Sequence, residues 1–314
     1  MLKAANAKII FKQDPIAIPK ACKNAAEIAG SKAAHIRDGA AVTRFLHWLD
    51  TKAQSGEYDE VEAAQQLENF RHELLELKDL SFDTISGAGS NGAIVHYRAT
   101  YKTAKKLEHG TLFLVDSGGQ YQDGTTDITR TVPIGSPSDE MKRRNTLVLK
   151  GHIALAEIRF PKGTTGSNLD VLARAALWKN GLNYDHGTGH GVGVYLGVHE
   201  GPQRIAQPQN DVALQAGMIV SNEPGYYKTG GYGIRIENLQ FVTTAAPIKG
   251  GDRDMLGFET LTYAPIHKGL IDMSIMNEEE IAWLNNYHAR VWELISPQVE
   301  GEVKDWLSEA CSPL

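Results

Sequence analysis

Between residues 112 and 127 an apolar β run, Leu112-Phe113-Leu114-Val115, ends in Asp116, and a Gly-containing turn leads to Asp127 at the head of a Thr-rich run. Apolar neighbours predict that Asp116 is buried, and a buried carboxylate needs a cation or close hydrogen bonds. The fold must therefore bring compensating groups to the ends of these strands. A hairpin would set Asp116 and Asp127 side by side where the strands meet the turn. Taken alone, the pair also reads as ordinary turn and strand-end acids.

Two more clusters change that balance. His186-Gly187-Thr188-Gly189-His190-Gly191-Val192-Gly193 is followed closely by His199-Glu200-Gly201-Pro202. Glycine at every second residue, with no strand before it, does not fit a dinucleotide loop. Gly-Thr-Gly between His186 and His190 cannot sustain a helical zinc pair. A loop presenting imidazoles to a metal or a substrate fits better. Downstream, the apolar run Met218-Ile219-Val220 leads through Ser221-Asn222 to Glu223, and a Pro-Gly turn follows. Gly233-Ile234-Arg235-Ile236-Glu237-Asn238 alternates, so Arg235 and Glu237 share a strand face. A second hairpin could bring Glu223 and Glu237 together.

Asp116, Asp127, Glu223, Glu237 and His190 together offer one nitrogen and up to eight carboxylate oxygens. A structural zinc site favours Cys and His instead. An oxygen-rich set suits two ions sharing carboxylates, with Mn²⁺, Co²⁺, Zn²⁺ or Fe²⁺ as candidates. Two ions about 3.5–4 Å apart can hold a hydroxide and polarise a scissile carbonyl. The chemistry implied is hydrolysis.

Composition narrows the alternatives. The 32 basic and 38 acidic residues give a net charge of −6, without the basic stripe of a nucleic-acid binder. No apolar run approaches the roughly 18 residues that span a bilayer, and residues 1–12 lack the pattern of a signal peptide. Cys22 and Cys311 are too few for a disulfide framework and suit a reducing compartment. Cys22 falls in a helical pattern and reads as a small buried hydrophobe. A cytoplasmic protein is expected, with no nucleic acid and no membrane among its partners.

Helical spacing predicts a helix over 18–53, a turn at Ser55-Gly56, and a second helix from Asp59 to Leu77 with an Asp59/Glu62 capping box. Short β runs follow at 84–85, 94–97, 111–115 and 126–132. Helices are expected from Ser136-Pro137-Ser138-Asp139, with Pro at the first helical position, and from Ser167 to about 180, with Asp170 near its start. Two strand pairs fall between 212 and 265. The last helices open at Asn277 and cover about 299–310. The apolar stripe of Trp283, Leu284, Tyr287, Val291, Trp292 and Ile295 reads as core rather than interface. Strands and helices mix without βαβ regularity, so the class is α+β, with a hint of internal duplication.

The runs 116–131, 186–193, 198–202, 221–227 and 234–238 resemble the signature blocks of the pita-bread metallopeptidases, most closely the cytosolic Xaa-Pro aminopeptidases of the aminopeptidase P type. The resemblance spans 14–314. It implies a pseudo-two-fold pita-bread fold with duplicated strand–helix halves around a central curved antiparallel sheet. It also implies a dinuclear centre, usually Mn²⁺ with Zn²⁺ or Co²⁺ possible, and a metal-dependent aminopeptidase. The substrate would be a peptide with proline at its second position, attacked by a hydroxide bridging the ions. A helical lead-in (1–80) would pack on the catalytic domain (81–314) as one continuous unit, without the domains that precede it in relatives. That difference leaves efficiency, substrate length and a possible homodimer open.

Carried onto this chain, the resemblance makes Asp116, Asp127, His190, Glu223 and Glu237 metal ligands, with Asp127 and Glu237 bridging. Glu223 would also be the general base. His96 would bind substrate near the leaving nitrogen, His199 would stabilise the polarised carbonyl, and His186 would line the proline pocket. Arg235 would support the metal carboxylates, and Tyr227 would be a lesser pocket contact. At a strand end, His96 could equally be a satisfied polar residue. A prolidase, a methionine aminopeptidase, a metal-free creatinase-like hydrolase and a metal-free peptide-binding module are the alternatives. The complete ligand set argues against the last two.

Overall fold

Helical spacing alone does not keep residues 18–53 in one helix. In the computed structural model, which describes residues 2–5, 7–10, 12 and 14–314, helix α1 (Ala17–Ala21) stops at Cys22. There the Lys23 N–H turns to the Gly217 carbonyl at 3.0 Å, and Cys22 bridges Met218. Cys22 is therefore half-buried at a helix end, not buried within a helix. Met1, Asn6, Phe11 and Gln13 of the expected lead-in lie outside the described residues.

Helix α2 (Ala25–Thr51) restarts at Asn24, whose side chain accepts the Ala26 and Glu27 N–H groups while Glu27 returns to the Asn24 N–H. Helix α3 (Glu60–His72) has the expected Asp59/Glu62 capping box but ends before Leu77, because residues 77–80 pair as strand β1 (Leu77–Leu80). Strands β2 (Ile85–Ala88) and β3 (Thr111–Ser117) follow. Residues 94–97 form turns, not the expected strand. The reason is Glu60, buried at the start of α3. It accepts the Ala88 N–H at 2.7 Å, the Tyr97 hydroxyl at 2.8 Å and the Lys105 N–H at 3.0 Å. Meeting that carboxylate curls the 89–105 loop.

Strand β3 leads through the hairpin β4 (Gly119–Tyr121) and β5 (Gly124–Thr125) into β6 (Ile128–Ile134). Strands β2, β3 and β6 form one antiparallel sheet in which Asp116 faces Thr129. Helix α4 (Asp139–Glu157) is capped by Ser138, so Pro137 precedes the cap instead of opening the helix. After β7 (Phe160–Pro161), helix α5 (Gly166–Trp178) begins at Thr165, whose N–H donates to Asn168. Asp170 is thus no terminal acid. It is buried, takes the Arg174 Nε at 2.6 Å and accepts the Thr188 hydroxyl.

The second half repeats the first. Strand β8 (Gly189–His190) pairs with β9 (Arg204–Ile205). Strand β10 (Ile219–Asn222) leads through the hairpin β11 (Gly225–Lys228) and β12 (Tyr232–Arg235) into β13 (Asn238–Val242), which pairs back on β10. A small sheet joins β14 (Ala246–Pro247) and β15 (Asp254–Leu256) to β7, and β16 (Phe258–Thr260) lies against β13. Each half is thus an antiparallel pair interrupted by a hairpin, with an acid at each junction. The α+β class holds. Helices α6 (Glu278–Ile295) and α7 (Gly301–Ala310) close the chain, and the apolar stripe of α6 packs into the main core as expected.

The halves are joined by the Glu237 N–H donating to the Thr129 carbonyl at 3.2 Å, and by Arg130. The buried Arg130 guanidinium donates to the carbonyls of Thr129, Glu237, Ala264 and Pro265, to Asn238 Oδ1 and to the Tyr287 hydroxyl, all at 2.7–3.0 Å. Removing it leaves several buried acceptors unpaired, each costing roughly 1–3 kcal/mol. Arg130→Met is therefore expected to lower unfolding free energy by at least about 3 kcal/mol, read as a fall in the urea midpoint at unchanged slope.

Candidate metal centre

The four junction acids converge. Asp116 is the penultimate residue of β3, Asp127 precedes β6, Glu223 follows β10 and Glu237 precedes β13. His190 enters from β8. Its backbone lies so close to β10 that a Cβ at Gly189 would sit 2.0 Å from the Ser221 carbonyl oxygen. Only glycine fits there, which explains part of the alternating pattern. Ligand atoms of Asp127, His190 and Glu237 lie within 4.8 Å of one another. His190 Nε2 is 3.4 Å from Asp127 Oδ2 and 3.6 Å from Glu223 Oε1.

An outer ring of hydrogen bonds aims these groups inward. Arg235 Nη2 donates to Asp116 Oδ2 at 2.6 Å, and its Nε donates to the Thr129 hydroxyl at 3.1 Å. The Thr129 hydroxyl in turn donates to Glu237 Oε2 at 2.7 Å. Ser221 accepts the His190 N–H at 2.9 Å and donates to Glu223 Oε1 at 3.1 Å. His190 Nδ1 faces the Gly191 carbonyl at 3.0 Å, so that nitrogen carries a hydrogen and Nε2 is the atom aimed at the acids.

Burial, followed by the charges of neighbouring acids, pushes the Asp127 and Glu237 carboxyls well above the ordinary range. Burial also raises Glu223. Arg235 cannot neutralise four acids. Asp116 Oδ1 is buried without a hydrogen-bond partner among the described residues. An orphaned carboxylate oxygen, an imidazole nitrogen and mutually repelling acids aimed at one point fit hard or borderline divalent cations. They do not fit a structural zinc site.

A cleft of about 1040 Å³ opens over this cluster, lined by all five candidate ligands and by His96, His186, His199 and Arg235. Burial, then the Arg235 charge, pushes His186 down to about 3, so it stays neutral. Its Nδ1–H donates to the Gly187 carbonyl at 2.8 Å, and its Nε2 accepts the Tyr227 hydroxyl at 2.9 Å. Tyr227 is not among the described residues lining the cleft. It stands behind His186 and accepts Arg235 Nη1 at 2.6 Å. His199 lies edge-on to the His190 ring at 4.2 Å, and burial, then His190, lowers its proton affinity. Phe82, Asp185 and Arg204 also line the cleft but carry no mark in the sequence, and neither do Thr129 and Ser221 stand out there as the outer ring. Thr129 does carry a faint signal: two residues after Asp127, it shares that strand face.

Mn²⁺ added to chelator-stripped protein should raise the thermal midpoint. Saturation at a hundredfold excess over Kd contributes about 2.7 kcal/mol. Asp127→Asn should lose most of that rise, as scanning calorimetry with and without Mn²⁺ would show.

Residues 29–244 match metallopeptidase family M24, and residues 254–314 match the C-terminal region of that family. Aminopeptidase P2 of Arabidopsis thaliana is 50% identical over 314 residues, covering 99% of this chain and 44% of the relative. A probable Xaa-Pro aminopeptidase P of Laccaria bicolor is 50% identical over 308 residues, covering 96% of this chain and 48% of the relative. An X-prolyl aminopeptidase from Caenorhabditis elegans, a cytosolic enzyme with a di-nuclear active site, superposes with a TM-score of 0.90 at 44% identity. That match covers 96% of this chain and 50% of the other. The chain spans about half the length of the curated relatives it matches. Its structural neighbours are pita-bread peptidases, so the expected fold holds. With its acids and His190 gathered at the junctions of two repeated hairpins, the chain belongs to metallopeptidase family M24.

Proposed function

We infer that the chain is a metal-dependent Xaa-Pro aminopeptidase, removing an N-terminal residue that precedes proline. The observation that carries this reading is the convergence of Asp116, Asp127, His190, Glu223 and Glu237 under one cleft edged by three histidines. Identity of 50% to aminopeptidases P across nearly the whole chain supports it.

Asp127 and Glu237, the central acids, would be shared by two ions. Asp116, steered by Arg235, would help hold one, and His190 with Glu223 the other. Two divalent ions held there, Mn²⁺ first with Zn²⁺ or Co²⁺ as alternatives, would supply Lewis-acid polarisation of the scissile carbonyl and make water a nucleophile at neutral pH. Glu223, held by the Ser221 hydroxyl at 3.1 Å, orients the attacking water and accepts its proton. His199 donates a hydrogen bond to the substrate carbonyl oxygen as negative charge develops. His96 faces the leaving nitrogen. His186, neutral and fixed by Tyr227, offers its ring to the proline. Tyr227 acts through His186 and Arg235 as a positioning residue.

The same reading takes residues 1–80 as a lead-in to one continuous catalytic domain. It places the protein in the cytoplasm, with a homodimer as a further possibility. The purified chain is expected to release Arg from Arg-Pro-Pro, to lose that activity to a chelator and to regain it with Mn²⁺. Glu223→Gln should retain less than about a tenth of it. Cleavage of Xaa-Pro dipeptides alone would make the chain a prolidase. No cleavage by protein carrying two ions would overturn the reading.

A further inference from the structure

His199 has less support than its position in the cleft demands. Its imidazole makes no hydrogen bond among the described residues, only the ring contact with His190. The backbone on either side must therefore hold it. On one side Leu196 adopts φ 60°, uncommon for a residue with a side chain. Its N–H donates to Gln120 Oε1 at 3.0 Å, and its carbonyl accepts the Thr125 hydroxyl at 3.2 Å.

On the other side stands Glu200. Its N–H donates to the Gly191 carbonyl at 2.8 Å, and its carboxylate spans Lys23 and Lys20, each at 2.9 Å. The two lysines differ. The Lys20 side chain is 64% exposed, and such a pair contributes little. The Lys23 side chain is 2% exposed, with its ammonium bonded only to Glu200 and the Lys20 carbonyl among the described residues. Losing Glu200 leaves the buried Lys23 charge stranded, while losing Lys23 leaves Glu200 only the exposed Lys20 as a partner. Lys23 is itself fixed to the body, because its N–H donates to the Gly217 carbonyl beside the Cys22–Met218 bridge. Lys20, Cys22 and Lys23 all precede residue 29, where the match to the family begins, while their partners Glu200, Gly217 and Met218 lie within it.

We propose that the Lys23–Glu200 ion pair is a positioning device that fixes His199 in the cleft, making residues 17–24 a working part of the site. Its effect on turnover rests on the aminopeptidase reading, while its effect on the loop does not.

The test compares metal-loaded wild type with Lys23→Met, Glu200→Gln, the double variant and Lys23→Arg. It measures kcat and KM on Arg-Pro-Pro, and hydrogen exchange by mass spectrometry. Lys23→Met and Glu200→Gln should each lower kcat about ten- to a hundredfold, with KM changed less than about threefold. The double variant should be no worse than either single one, since both remove one interaction. Lys23→Arg should recover most of the loss. Residues 193–203 should exchange faster in the two single variants while α4 and α5 keep their protection.

Unchanged exchange over 193–203, or additive losses in the double variant, would overturn the proposal. So would loss of protection in α4 and α5 alongside the loop, which would make the pair a general stabilising contact. If wild type releases no Arg, the aminopeptidase reading fails, and the exchange measurement alone decides whether the clamp exists.

Discussion

Crowding four carboxylates around one imidazole is the constraint from which the rest of this structure follows. Left together in a buried place, Asp116, Asp127, Glu223 and Glu237 repel one another, and burial drives at least Asp127 and Glu237 toward their protonated forms. Only an outside positive charge lets them all ionise. Everything near them serves to keep that unfavourable arrangement in place. Arg235 and Thr129 hold the acids by their outer oxygens, Ser221 ties His190 to Glu223, and Arg130 locks the backbone carbonyl of Glu237. Polar groups that look like structural detail are the means by which repelling charges are kept in register.

The same constraint accounts for the distribution of glycine around the histidine loop. His190 reaches the acids only if its strand runs against β10 more closely than any side chain allows, hence Gly189. Gly191 is likewise pressed onto the Glu200 carbonyl, where a Cβ would come within 2.1 Å. Close packing of backbone and accurate aim of the imidazole are one requirement.

Local signals carry much of this in the sequence. The acids are legible because each stands at the end or the start of a β run, and four such acids with a Gly-rich histidine loop between them outweigh the ordinary reading of any one. The caps at Asp59 and Asn277 are legible because they involve residues three apart. What escapes depends on partners far along the chain. The break at Cys22 is set by Gly217 and Met218, and the Lys23–Glu200 pair spans 177 residues. Residues 94–97 have strand composition, yet Glu60, 37 residues before Tyr97, bends them into turns. Asp170 looks like a helix-start acid, yet it is buried between Arg174, four residues on, and Thr188, 18 residues on. Tyr227 reads as a pocket contact, whereas Arg235 draws its hydroxyl behind His186.

The repeated hairpins also separate what is near in sequence from what is distant. Asp116 and Asp127 need only one hairpin to meet, and Glu223 and Glu237 need only the other. The contact that joins the pairs, from Thr129 to Glu237, closes a span of 108 residues. Loop-closure entropy makes such a contact costly to form early. Each pair of acids is brought together by its own hairpin, and the four meet only where the two halves dock. The full repulsion is therefore a property of the joined halves, and neither hairpin carries it alone.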